Sequence, residues 1–301
     1  MMDRVQAGSP VDLPIPMTAF SSTAAIMRPE TTALEGLLRD ESAHAGPARV
    51  EVLDRVDSTS RYLLEDVSAE ALPRAGRVCL AREQTAGRGR RGRDWVGHPE
   101  DGIALSVAWP LEPGEQVPPA WPVGAGLVLG ETLHELGYAA VGLKWPNDLV
   151  VGEAKLGGIL VEQQAPRVAN GVGGRLVAGV GLNRAGSQRL QLGRAVTDLA
   201  AQGVPPPGWL ELAGRLAASL LEAHPWLMAH GLSQAGERLG AVDVLAGQRV
   251  ERLETGERFL ALGIDPQAGT LRVRGEESGE RGEEQALHSG EVSVRRWNHA
   301  E

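Results

Sequence analysis

From about residue 49 to about 237, apolar runs of strand length alternate with stretches of helical period, and this alternation constrains the fold more than any other feature. "RVEVLDRV" (49–56), "GRVCLARE" (76–83), "GIALSVAWP" (102–110) and "RLVAGVGLNR" (175–184) read as strands. "VGLKWPNDLVV" (141–151) and "KLGGILVEQQ" (155–164) read as adjacent strands around tight turns at Pro146-Asn147 and Gly152-Glu153. Two helical patterns lie between them and a third follows. "DSTSRYLLEDVSAE" (57–70) has Asp57 or Ser58 as N-cap and Tyr62, Leu63 and Val67 on one face. "AWPVGAGLVLGETLHELGY" (120–138) is closed by Gly137, and "GWLELAGRLAASLLEAHPWLMAHG" (208–231) follows a proline cluster. A mixed sheet with helices inserted between its strands is an α+β arrangement.

The texture changes near residue 238. "GQRVERLE", "ERFLALGID", "GTLRVRG", "EQALHS" and "EVSVRRW" are short strands separated by turns, the pattern of a small β-barrel. "GEESGERGEE" (275–284) reads as a solvated loop. The first 48 residues are rich in Pro, Ser, Thr and Ala, and only "TTALEGLLRDESA" is weakly helical. They form an N-terminal extension with at most one short helix, too little for a helix-turn-helix domain. The expected division is therefore 1–48, 49–237 and 238–301.

The stretch "GRGRRGRDW" (87–95) resists that scheme. Arg88, Arg90, Arg91 and Arg93 sit on Gly87, Gly89 and Gly92, in a chain whose formal net charge is −9. The spacing formally matches a dinucleotide fingerprint, but no helix opens after it, and a kinase glycine loop would want valine where Asp94 stands. A nucleic-acid grip is opposed by Glu83, Asp94, Glu100 and Asp101 around it. Two readings stay open: an exposed, salt-bridged loop without a ligand, or a site for a small anion. Clustered arginines repel and glycine raises the entropy of ordering. A ligand bearing carboxylate and phosphate would offset both, so the residues favour the second.

Of 30 basic side chains only Lys144 and Lys155 are lysine, which suggests places where a compact ammonium is needed. The lone cysteine, Cys79, lies in an apolar strand and reads as core. With no signal-peptide pattern and no apolar run long enough for a bilayer, the expectation is a cytoplasmic, reducing location without membrane contact.

Five segments, in this order, resemble the biotin–protein ligases: "DSTS" (57–60), "REQTAGRGRRGRDW" (82–95), "LKWPNDLVV" (143–151), "KLGGILVE" (155–162) and "VAGVGLN" (177–183). The resemblance covers roughly residues 50–297 and implies a mixed-sheet catalytic domain followed by an SH3-like barrel. It also implies ATP-dependent, Mg²⁺-assisted attachment of biotin to a lysine of a biotin carboxyl carrier protein, through biotinyl-5′-AMP. Lys155, Arg90, Arg93 and Asp148 would carry the chemistry. Ser58, Thr59, Gln84, Gly87, Arg88, Arg90, Lys155, Gly157 and Gly158 would hold biotin. Arg90, Arg91, Arg93, Trp95, Asn147, Lys155, Asn183 and Arg295 would hold the nucleotide, with Trp95 over the adenine. No protein metal site is implied, since Mg²⁺ accompanies ATP. Ser60 stands where the family usually has asparagine. Homodimers occur in the family. The alternatives are a lipoate–protein ligase with the same adenylate chemistry, or a biotin-responsive DNA-binding repressor; the first 48 residues argue against specific DNA binding.

Overall fold

The computed structural model describes residues 25–41, 48–65, 72–99, 101–165, 174–190, 192–275, 282–289 and 294–297. Val67, Glu100 and most of "GEESGERGEE" lie outside them.

Seven strands form one sheet: β1 (Arg49–Val56), β2 (Arg77–Gln84), β3 (Gly102–Leu111), β4 (Val141–Lys144), β5 (Asp148–Val151), β6 (Ala154–Gln164) and β7 (Gly174–Asn183). Their spatial order is β1-β2-β3-β7-β6-β5-β4. Only β1 and β2 pair in parallel, joined through helix α2 (Thr59–Glu65); the other pairs are antiparallel. The sheet is thus mixed, as the alternation of patterns predicts.

One face of the sheet is covered by α1 (Arg28–Glu41), α3 (Trp121–Glu135) and α4 (Trp209–His230). Helix α3 is apolar around nearly its whole circumference because it is enclosed on all sides. A Cβ on Gly124 would fall 2.2 Å from Leu227 of α4, and one on Gly126 would fall 2.6 Å from Leu143 of β4. Hydrogen at these positions is what lets the helix approach both neighbours. Helix α4 runs through Pro225, which withholds a backbone donor, because Leu220, Leu221 and Leu227 on its inner face stay buried. Helix α1, in the expected N-terminal extension, packs on α4 and β1 with Leu34 and Leu38 buried. Cys79 is fully buried beneath α2, and burial pushes its thiol pKa up, as suits a core residue.

A second, five-stranded antiparallel sheet holds β8 (Arg249–Arg252), β9 (Arg258–Ile264), β10 (Leu271–Gly275), β11 (Glu284–Leu287) and β12 (Val294–Arg296), in the order β11-β10-β9-β8-β12. It matches the small β-domain expected after the catalytic part. A short helix, α5 (Gly236–Val242), which the sequence pattern does not signal, runs across the expected boundary at 237/238. No helix among the described residues is long and apolar enough to cross a membrane.

Candidate functional site

A cavity of about 590 Å³ opens on the face of the large sheet that carries α2. Its floor follows from the two-residue period of strands. Gly158 of β6 pairs with Gly181 of β7, and Gly179, two residues earlier, shares Gly181's face. All three line the cavity. A Cβ at Gly181 would fall 2.2 Å from the Trp95 indole, and one at Gly179 would fall 2.4 Å from Ser60 Oγ. The strip carries no side chains of its own, so the Trp95 indole and the Ser60 hydroxyl pack directly on its backbone.

Gly157 points the other way. Its missing Cβ would meet the carbonyl oxygen of Gly181 at 2.8 Å, and it does not line the cavity. Adjacent strand residues face opposite sides, so Gly157 and Gly158 cannot both form a wall. The "GVG" of "VAGVGLN" carries a two-residue glycine spacing that could have identified Gly179 and Gly181.

At one end, Ser58, Thr59 and Ser60 open helix α2 and are buried. Thr59 donates to Gln84 Oε1 with both its backbone N–H (2.8 Å) and its hydroxyl (3.0 Å). Ser58 Oγ accepts the N–H of Arg61 at 3.4 Å, a local helix-start contact. Ser106 of β3, to which the sequence pattern gives no role, lies 2.8 Å from Thr59 Oγ1 and 3.0 Å from Ser60 Oγ.

Near the centre, Lys155 Nζ donates to Asp148 Oδ1. Burial lowers the lysine pKa, and the carboxylate opposes that shift. The ammonium also stands 5.7 Å from the Trp95 ring centroid. The indole rests on the floor at Gly181.

The arginine segment is a small hairpin. Gly89 N–H donates to Arg93 O (2.7 Å), Trp95 N–H donates to Gly87 O (2.9 Å), and Arg88 and Asp94 form a bridge. The tip turns through left-handed backbone at Arg91 (φ 56°) and Gly92 (φ 70°). Gly87 does not line the cavity; its missing Cβ would sit 2.4 Å from Trp95 O, so its hydrogen lets the two hairpin arms close. The sequence suggests a loop that only a ligand orders, yet Arg88, Arg90 and Arg91 have protein partners. Arg88 pairs with Glu162 (2.8 Å) and Arg91 with Glu254 of the turn after β8 (2.6 Å). Arg90 donates to Asn147 Oδ1 at 2.9 Å and to the Ser289 carbonyl. These acceptors offset the mutual repulsion. Burial, then Arg91, lowers the Arg90 pKa.

Asn147 is fixed in turn: its Nδ2 donates to Ile159 O at 2.7 Å, beside the cis Trp145–Pro146 peptide. Arg93, Arg194, Lys144 and Arg295 complete the cationic lining. Arg194 has no signal beyond its charge. Arg295 is paired with Glu251 at 2.6 Å. Asn183 is buried outside the cavity, where its Nδ2 donates to Thr197 O (3.0 Å), anchoring the segment that bridges to Lys155. Among the described residues, no group of three or more His, Cys, Asp or Glu is placed to hold a metal ion.

Fold and cavity define a class: a mixed-sheet α+β protein with a cationic hairpin roofing a glycine floor and a small β-domain at the rim. Residues 52–186 match the biotin/lipoate A/B protein ligase family. The chain is 34% identical over 228 residues to the biotin--[acetyl-CoA-carboxylase] ligase of Mycobacterium tuberculosis, covering 72% of this chain and 80% of that one. It is 42% identical over 140 residues to the bifunctional ligase/repressor BirA of Salmonella typhimurium, 45% of this chain and 41% of that one. The match thus spans about two-fifths of the repressor-type relative. The biotin protein ligase from Aquifex aeolicus in complex with biotin and ATP has a similar structure, with a TM-score of 0.63 at 25% identity over 83% of this chain and 99% of that one. The chain belongs to the biotin–protein ligase branch of this family.

Proposed function

We propose that this chain activates biotin with ATP and ligates it to a lysine of a biotin carboxyl carrier domain. The reading rests above all on one observation: Lys155, Asp148, Arg90 and Arg93 converge beside the glycine strip, with the Thr59–Gln84 pair in the same cavity.

In the first step a biotin carboxylate oxygen attacks the α-phosphorus of ATP and pyrophosphate leaves, giving biotinyl-5′-AMP. Two anions must meet, so fixed positive charge lowers the barrier most. The ammonium of Lys155 has three donors and lies between Asp148 and the floor. It serves both the carboxylate and the α-phosphate, while Asp148 keeps it charged against burial. Arg90 and Arg93 hold the phosphate. Arg88 and Arg91 hold the hairpin through their glutamates. In the second step the carrier amine attacks the acyl carbon and AMP leaves; Asp148 accepts or orients the ammonium proton.

The neutral ureido ring needs hydrogen-bond partners rather than charge, and Ser58, Thr59 and Gln84 supply them. Gly158, Gly179 and Gly181 let Lys155, Ser60 and Trp95 settle onto the sheet, which leaves room for the bicycle beside them. Trp95, on Gly181 beside Lys155, covers the adenine. Asn147 positions Arg90, Asn183 positions the segment beside Lys155, and Arg295 reaches the nucleotide from the β-domain. Mg²⁺ would enter with ATP and would supply charge neutralisation for its phosphates. The division at 1–48, 49–237 and 238–301 is part of the same reading, as are a cytoplasmic site of action and the absence of operator binding.

The test is incubation with ATP, Mg²⁺, labelled biotin and a carrier domain, scoring covalent label on the carrier. Lipoic acid in place of biotin is the control. Transfer of lipoate but not biotin would replace the reading with lipoate ligation.

A further inference from the structure

The buried hydroxyls at the start of α2 can be assigned proton by proton. Gln84 Oε1 faces the backbone N–H of Thr59 at 2.8 Å. A main-chain N–H can only donate, so the amide cannot be flipped: its oxygen lies on Thr59 and its nitrogen on the other side. The same oxygen lies 3.0 Å from Thr59 Oγ1, a distance that requires a proton between them, and only the threonine can supply it. Thr59 has then spent its single proton, and its contact with Ser106 Oγ at 2.8 Å must be one it accepts. Ser106 has likewise spent its proton and accepts from Ser60 Oγ at 3.0 Å.

We infer that Ser106 is a positioning residue for the ring-binding subsite. Its hydroxyl completes a one-way relay from Ser60 through Ser106 and Thr59 to Gln84, which holds Gln84 as a pure hydrogen-bond donor. Ser106 is fully buried and Thr59 nearly so, so no bulk water substitutes for a missing member. With Oε1 occupied twice, Gln84, which lines the cavity, keeps its Nε2 beside Gly87, 3.1 Å from where a Cβ there would sit. Among the described residues Nε2 has no hydrogen-bond partner. The subsite thus presents N–H to an acceptor and selects a neutral carbonyl, the chemistry of a cyclic urea. A ring carrying an amidine or guanidinium at that position is refused. The inference rests on the biotin reading above and adds the residues that set the polarity of its subsite.

The test is a double-mutant cycle on the full chain, read as biotin affinity by calorimetry without ATP, with ATP affinity and thermal midpoint alongside. Ser106→Ala is expected to weaken biotin about fivefold, the scale of one lost buried hydrogen bond, with ATP affinity unchanged. Ser60→Ala, which leaves the Ser106 proton on Thr59, is expected to weaken biotin less than Ser106→Ala does. In a Thr59→Val background Ser106→Ala is expected to cost nothing more, because its effect passes through the threonine hydroxyl. An equal cost in both backgrounds, a parallel loss of ATP affinity, or no cost at all would overturn the relay. If the unaltered chain binds lipoic acid and not biotin, the biotin reading fails with it; if it binds biotin and the cycle is additive, the relay alone fails.

Discussion

Lys155 shows what a single side chain is asked to do here. Its side chain is 15% exposed, salt-linked to Asp148, and its Nζ would lie 3.0 Å from a Cβ on Gly158. A planar guanidinium is wider than an ammonium, and the floor leaves it no room. Lys155→Arg is therefore expected to lower adenylate formation about a hundredfold although the charge is kept. Biotin-dependent pyrophosphate release measures it, and a near-normal rate would remove the assigned role. A second residue-scale effect lies across the sheet. His224 stacks on Trp109 at 4.3 Å, its Nδ1 is buried without a partner, and burial lowers its pKa to about 4. The unfolded chain, with a histidine near 6.5, binds the proton first, so stability is full above pH 6.5 and falls as pH drops toward 4. His224→Phe keeps the stack and is expected to flatten that slope, by about 3 kcal/mol at its limit, in denaturant unfolding at pH 7 and pH 4.5.

Elements explain which parts of the site the sequence discloses. The hairpin arginines, Lys155 and the Thr59–Gln84 pair are visible as motifs because their chemistry is unusual for their context. Strand-face assignment is a subtler matter. A run such as "KLGGILVE" shows that two glycines interrupt a strand, and only the register between β6 and β7 shows which of them faces the cavity. On the other side of β6, the β5–β6 pairing shifts its own register between Leu149 and Val150, which no local pattern signals. Ser106 stayed hidden for the same reason: a serine in "GIALSVAWP" looks like a solvent-side residue until α2 covers it. Opposite facing predicts opposite outcomes. Gly181→Ala drives a methyl into the Trp95 ring, a movable side chain, and is expected to weaken biotin binding about tenfold by filling the trough, with little change in melting temperature. Gly157→Ala meets backbone at 2.8 Å and is expected to destabilise the fold by about 1–3 kcal/mol. Calorimetric titration and thermal melting on the two variants separate these cases.

At the scale of the whole molecule, the two sheets meet at the hairpin. Arg90 reaches the Ser289 carbonyl, Arg91 reaches Glu254, and Arg296 of β12 reaches Glu153 in the turn before β6 at 2.6 Å. The small β-domain thus supplies acceptors for a loop whose charges repel one another, and does so from residues far away in the chain. That arrangement was not legible in the sequence, where Glu254 is one glutamate among many. Its energetic and kinetic consequences differ. An ion pair with a third of each side chain exposed contributes about 0–1 kcal/mol to stability, so Glu254→Lys is expected to leave the melting temperature nearly unchanged. The same substitution replaces an attraction with a repulsion at the tip of the roof, which on the proposed reading retains the intermediate. Release of biotinyl-5′-AMP is expected to quicken several-fold, and the difference from the unaltered chain is expected to shrink at high salt as screening weakens both the lost attraction and the new repulsion. Trapping of labelled adenylate over time, at low and high ionic strength, measures both. Unaltered release at low salt would mean that the hairpin is held from the catalytic side alone, through Asn147 and Glu162.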